Sequence, residues 1–233
     1  MNVFEAVWDW LTNGDNWKTT LGIIGIPQRL GEHLDYSWPP LLIGILLAIP
    51  LGALIGHTGR GGTVVVSLVN VFRALPELGL LVLLVLSMGL LLATEALTIV
   101  LVAVALPTLL AGTYAGVRNV DRAVVDAARG MGMREWEILV KVELPNALPL
   151  ILGSVRAAAL QVIATASIAA AVALGGLGRF VVDGFAFREY QQMAGGAVLI
   201  AALAIVVELL LSAVQWLLVS PGLRKPRTRS GVR

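Results

Sequence analysis

The chain has 233 residues, 58% of them hydrophobic and only 14% charged, with a mean hydropathy of +0.86. A soluble domain carries about 45–50% apolar and about 25% charged residues, so a disordered chain, a nucleic-acid-binding domain and an ordinary cytosolic enzyme are excluded, and a polytopic membrane protein is indicated. The net charge is only +2, and there are no cysteines and two histidines, which excludes disulfides, thiolate chemistry and a His-based metal cluster.

The first 35 residues lack the basic start, apolar core and small-residue cleavage pattern of a removable leader. Trp8, Trp10 and Trp17, mixed with Asp9, Asp15 and Asn16, predict a short amphipathic segment at the outer interface, where an apolar ring with one polar N–H is at home. Packing of this extension on neighbouring helices is the alternative. Uncharged runs then predict five membrane spans near 38–57, 64–91, 96–117, 147–174 and 193–219, each close to the ~20 residues needed to cross the hydrocarbon. The expected fold is all-α and polytopic: residues 1–35 external, a transmembrane domain over 36–220, and a basic tail over 221–233. Eleven Lys and Arg fall on the side that holds the 57–62 turn, the 118–146 segment and the tail, against four on the other. The positive-inside bias therefore predicts a cytoplasmic C-terminus and an external N-terminus in the cell membrane. Trp38 and Trp216 are expected at opposite membrane boundaries.

Four charges fall inside the expected spans. Arg73 and Glu77 flank Pro76 in the second span, and Pro76 cannot donate to the Phe72 carbonyl, so the helix should break there. Asn70, Arg73, Pro76 and Glu77 then lie near a transport path or gate; alternatively, an Arg73–Glu77 pair braces a kinked helix. In the fourth span Arg156 is expected to snorkel or to lie on a cytoplasmic extension of the helix, with Gln161 and Thr165, also candidates for the path or gate, continuing its polar side. Glu208 of the fifth span is its candidate partner. The fourth span is rich in alanine, which lets helices approach closely in lipid.

Residues 118–146 form the one long loop and read as two short helices. Asn119 or Asp121 can cap the first, and Gly130 can end it in a left-handed cap. The second runs from about Arg134 to Glu143 with Glu137 and Lys141 paired; Pro145 should stop it, and Asn146 can cap the next span. Small residues (Ala127, Ala128, Gly130, Gly132) stand beside Met131, Met133 and Trp136, with five acids balancing five bases. Such a surface fits a soluble protein partner better than lipid.

The segment Asp126-Ala127-Ala128, three residues, Gly132, nine residues, Val142-Glu143-Leu144-Pro145 resembles the cytoplasmic motif of bacterial ABC-importer permeases (EAA, three residues, G, nine residues, I, one residue, LP). Asp126 replaces Glu and Val142 replaces Ile; the spacing matches throughout. Shorter pieces are similar to the glycine betaine, carnitine, choline and proline importers: Gly25-Ile-Pro27, Glu32-His-Leu34, Leu106 to Tyr114, Arg129-Gly-Met-Gly-Met133 and Leu174-Gly-Gly-Leu-Gly178. The resemblance implies a type I importer permease fold. Asp126, Ala127, Ala128, Gly130, Met131, Gly132, Met133, Leu144 and Pro145 would belong to the element that docks into an ATP-binding subunit. It also implies two copies of that subunit, which would hold ATP and Mg, a second permease chain (the same or a related one) and an external substrate-binding protein.

The chain itself has no G-x-x-x-x-G-K-[ST], H-E-x-x-H or G-x-S-x-G pattern, so no ATP, metal or catalytic site is expected on it. Gly175-Gly176-Leu177-Gly178 reads as a helix-ending turn. With 14 aromatics in all and few in the spans, an aromatic cage for a quaternary ammonium is expected on the external binding protein. Two other readings remain: a methionine-type amino-acid permease on the same machine, and a secondary carrier, which should show an internal repeat that is not visible.

Overall fold

The computed structural model describes residues 2–20, 24–220 and 222. It is all-α, with no strand among the described residues. Helix α1 (Val3–Thr12) is followed by a single 3-10 turn, Gly14–Trp17. Helix α2 (Ile26–Thr58) is the first long helix; then come α3 (Gly62–Arg73), α4 (Glu77–Met88) and α5 (Ala93–Arg118). Helices α6 (Arg122–Gly130) and α7 (Glu135–Ile138) form a hairpin, and α7 runs through a π segment (Leu139–Glu143) into α8 (Leu144–Ala166). Helices α9 (Gly178–Ala186) and α10 (Tyr190–Leu218) complete the bundle. Four helical stretches are long and apolar enough to cross a membrane, and the α3–α4 pair, bent by 79° at its break, makes a fifth if counted as one span.

The core is built on α5. Its buried Leu97, Val100, Leu101, Ala105 and Leu109 meet Leu41 and Ala48 of α2, Val65 and Val69 of α3, Leu81 and Val85 of α4, and Ala158, Ala159 and Val162 of α8. The face of α2 toward α5 carries a small residue every fourth position: Gly44, Ala48, Gly52 and Gly56. A β-carbon on Gly52 would stand 2.9 Å from Thr113 Cβ, and one on Gly56 2.8 Å from Val117 Cβ. Residues four apart share one helix face, and this face lets two backbones approach as lipid-embedded helices do.

The first long helix begins at Ile26, about ten residues before the expected span. Arg29, Glu32 and His33 interrupt the apolar run, but the fold gives each an internal partner, His33 through Nε2 alone. Arg29 Nη1 donates to Glu32 Oε2 at 2.9 Å, and His33 Nε2 lies 3.0 Å from the Ile163 carbonyl. The chain reverses after α8 through Ala173 and Gly176, both at positive φ. It is pinned there because Gly176 N–H donates to Glu32 Oε2 at 2.8 Å and Gly175 N–H to Tyr36 Oη at 3.4 Å. The Gly-rich stretch is thus a turn, as expected, and it leads into the short helix α9 between the fourth and fifth expected spans.

Helix α1 packs as well as exposing aromatics. Trp10 covers Gly195 of α10 and meets Phe180 of α9 edge to face, ring centres 5.3 Å apart, while Phe4, Trp8 and Trp17 remain exposed. Packing on neighbouring helices therefore holds for Trp10. Among the expected boundary residues, Trp38 and Trp216 are both exposed. The expected tail over 221–233 lies, apart from Gly222, outside the described residues.

Candidate functional site

The hairpin projects at the end of the bundle where α2 finishes and α8 begins. Asp121 caps α6, its Oδ1 accepting from Ala123 N–H at 3.0 Å. The helix does not end in a left-handed Gly130. Gly130 is its last helical residue and Gly132 carries the positive φ, +84°. Met133 N–H reaches back to the Ala128 carbonyl (3.3 Å) and Gly132 N–H to that of Arg129 (3.0 Å), which is the paired bonding of a Schellman cap. A glycine four positions after Ala128 is thus a backbone requirement of this turn.

The inner face of the hairpin is a small core of Val125, Ala128 and Ile138, with Met133 against it. Ala128 therefore faces inward and is unavailable to a partner. Asp126, Ala127, Gly130, Met131 and Gly132 are exposed, and Met131 and Trp136 present 76% and 61% of their surface. No other part of the described chain stands near a β-carbon placed on Gly130 or Gly132, so their outer faces are open to an incoming surface. Leu144 packs on the cluster of Ala53, Val117, Ala147 and Ile151, and Pro145 is exposed.

Pro145 does not stop the second helix, and Asn146 does not cap a new one. The π segment carries the helix through: Leu144 N–H bonds to the Leu139 carbonyl, five residues back, and Asn146 Nδ2 donates to the Val142 carbonyl at 2.7 Å. Pro145 stands within the first turn of α8, where a missing N–H does little harm. Residues 135–172 are consequently one continuous helical rod, with a π segment at Leu139–Glu143 and a 3-10 end at Ser167–Val172.

Charges brace the hairpin. Arg129 donates to both oxygens of Glu135 (2.7 and 3.0 Å) and to Asp126 Oδ1 (3.2 Å). The Glu135 hydrogen bond raises the Arg129 pKa above its ordinary value. Lys141 Nζ lies 2.9 Å from Glu137 Oε1. Glu143, inside the motif, is buried, and its Oε2 stands 2.5 Å from His57 Nδ1 at the end of α2; His57 Nε2 lies 3.5 Å from Glu135 Oε2. Sequence reasoning missed this bridge. Its only local signal is a histidine at a helix end, and its partner lies 86 residues away.

Deeper in the bundle, the structure brings some of the expected residues together. Thr165 Oγ1 donates to Glu77 Oε2 at 3.2 Å and Thr108 Oγ1 to Gln161 Oε1 at 3.1 Å, so Glu77, Gln161 and Thr165 form a polar line among α4, α5 and α8. Arg73 does not join it. No ion pair links Arg73 to Glu77, because the break at 74–76 destroys the register that four-residue spacing requires. Asn70, Arg73 and Pro76 are exposed. Arg156 Nη2 donates to Glu208 Oε1 and its Nη1 to Gln215 Oε1 at 2.6 Å, while Gln215 Nε2 donates to the Pro149 carbonyl at 3.0 Å. Among the described residues no group of three or more His, Asp or Glu could hold a metal ion.

Comparisons with known proteins agree with this architecture. Residues 41–225 match the family model described as "Binding-protein-dependent transport system inner membrane component". The chain is 33% identical to the carnitine transport permease protein OpuCB of Listeria monocytogenes, covering 84% of this chain and 89% of that one. It is 31% identical to the glycine betaine/carnitine/choline transport system permease protein OpuCB of Bacillus subtilis, with the same two coverages. The fold is similar to a chain of the MetNI methionine ABC transporter in an inward-facing form, with TM-score 0.72 and 21% identity over 84% of this chain and 96% of that chain. The chain is a member of the binding-protein-dependent transport system inner membrane component family.

Proposed function

We propose that this chain is the membrane-spanning permease subunit of an ATP-driven importer for a quaternary-ammonium osmoprotectant, of the glycine betaine, choline, carnitine or proline betaine type. The observation that carries the importer reading is the Asp126–Pro145 segment. It is folded as a braced, projecting hairpin with an exposed Met131–Trp136 face, and it is continuous with α8. The substrate class is supported by the names of the relatives matched over most of the chain.

In this reading the hairpin docks into a cytoplasmic ATP-binding subunit, present in two copies, which holds ATP and Mg. The chain performs no catalysis. Closure of the ATPase pair pushes the hairpin, and the 135–172 rod carries the motion into the bundle, as coupling between two sites requires. The N-terminus and α1 face outward, toward an external binding protein that supplies affinity. The permease core spans 36–220, the hairpin lies over 118–146, and the basic tail is cytoplasmic. Exposed apolar faces of α3, α4 and α10 meet lipid and a second permease chain, identical or related. Glu77, Gln161 and Thr165 line the path, with Asn70, Arg73 and Pro76 at its mouth.

Purification through a tag on this chain in mild detergent, with mass spectrometry of what accompanies it, tests the assembly. An ATP-binding subunit is expected, and repeated recovery of this chain alone would overturn the importer reading in favour of a self-contained carrier. Uptake of radiolabelled choline or glycine betaine, compared with methionine, tests the substrate class. Uptake of methionine alone would replace the osmoprotectant by an amino acid.

A further inference from the structure

The polar contacts at the hairpin's base form a continuous chain. Asp126, the first residue of the motif, bonds Arg129; Arg129 clasps Glu135 with two N–H groups; Glu135 faces His57 Nε2 at 3.5 Å; and His57 Nδ1 meets Glu143 at 2.5 Å. Asp126 is exposed on the docking face, whereas Glu143 is buried. His57 is the only member of this chain outside the hairpin segment. It belongs to the last turn of α2, where a ring N–H also complements the free carbonyls of a helix end. Arg118 of α5 closes the corner, its guanidinium lying against Gly59, and Arg60 is exposed just beyond.

A carboxylate buried as Glu143 is needs a partner, because losing one leaves an uncompensated polar group in a dry place. His57 supplies that partner from a different span. Besides its covalent links to α5 and α8, the hairpin therefore has a side-chain link to a third membrane helix, the His57 bridge to α2.

We propose that His57 is a positioning residue for energy coupling, joining the ATPase-docking hairpin to α2 through Glu143 so that one displacement of the hairpin moves both α2 and α8. This rests on the importer reading given above. The imidazole acts through Glu143 and Glu135 and need not touch substrate or nucleotide.

The test uses the full complex, purified with its ATP-binding subunit and reconstituted into liposomes with the external binding protein, with radiolabelled glycine betaine and choline as probes. The readout is ATP hydrolysed per molecule imported. His57→Ala is expected to raise that ratio about fivefold or more, the scale of a typical coupling energy. His57→Asn places an amide N–H where Nδ1–H stands, keeps the Glu143 bond, and is expected to stay near the wild-type ratio. His57→Gln places it at the Nε2 position, toward Glu135, and is expected to behave like the alanine variant. Should the alanine variant fail to insert, the contrast between the two amides decides. A wild-type ratio in every variant, or equal behaviour of His57→Asn and His57→Gln, overturns the proposal while leaving the importer reading intact. A wild-type chain that recovers no ATP-binding subunit overturns both.

Discussion

Thr165 Oγ1 donates to Glu77 Oε2 at 3.2 Å, and this bond ties the first residue of α4 to the last turn of α8. The broken span is thereby held to the rod that leaves the hairpin. A hydrogen bond to a charged group contributes about 1.5–3 kcal/mol, and stranding the acceptor costs a similar amount. Thr165→Val should lower the thermal midpoint in detergent and slow osmolyte uptake; Thr165→Ser, which keeps the donor, should do neither. Equal stability and uptake for the two variants would remove this bond from any account of the gate.

Arg156 and Glu208 meet between α8 and α10, and Gln215 shares the arginine while bonding the Pro149 carbonyl. A lone charge inside a span costs about 3 kcal/mol. Single reversals, Arg156→Glu or Glu208→Arg, should therefore depress insertion and transport. The double reversal should recover much of both because the pair is restored, while a Gln215 amide turned toward the new carboxylate gives up its bond to the Pro149 carbonyl. Transport by the double variant no better than by either single reversal would show that the pair's orientation, and not its pairing, is what matters.

Gly132 and Gly130 separate backbone from surface in the α6–α7 turn. Gly132 holds φ +84°, so Gly132→Ala should cost about 1–2 kcal/mol for a left-handed residue with a β-carbon and loosen the α6–α7 turn. Gly130 is helical, so Gly130→Ala should leave the turn intact, and Gly130→Trp should block only the outer face. Recovery of the ATP-binding subunit with the tagged chain is the measurement. Full recovery with Gly130→Trp would move the docking face elsewhere on the hairpin.

Much of this was legible in the sequence because it is local. Apolar runs of span length located the long helices, the motif spacing marked the hairpin, and Pro76 marked the break. The errors have two causes: partners distant in sequence are invisible locally, and backbone irregularities leave no mark in hydropathy. Arg29 and Glu32 interrupt the apolar run before residue 36, and the turn that meets Glu32, at Gly176, is 144 residues away. Pro145 looked like a stop because a π segment is not encoded in hydropathy. Ala128 looked like surface because a small residue reads alike on either side of a hairpin. The His57–Glu143 bridge joins two spans 86 residues apart, beyond any local pattern.

The glycines of the α2–α5–α8 contact offer a graded test of how closely these helices pack. A β-carbon on Gly112 would collide with Ser154 Cβ, with backbone close behind, whereas one on Gly44 would meet only the Leu109 side chain at 3.1 Å and Ala105 Cβ at 3.2 Å. Gly153 has nothing nearby beyond its own helix. Alanine also favours a helix over glycine by about 1 kcal/mol, so the sign of each substitution depends on which effect is larger. Gly153→Ala should be neutral or stabilising. Gly44→Ala should be near neutral, since Leu109 can shift by a few tenths of an ångström. Gly112→Ala should destabilise by about 1–3 kcal/mol, the usual cost of overpacking a tight core. Gly52→Ala should fall on the same side, because Thr113 Cβ and the Leu110 carbonyl stand 2.9 and 3.0 Å away. Thermal unfolding of the four variants in one detergent gives the order directly. A stabilised Gly112→Ala would mean that α5 and α8 stand further apart in the membrane than the close crossing described above.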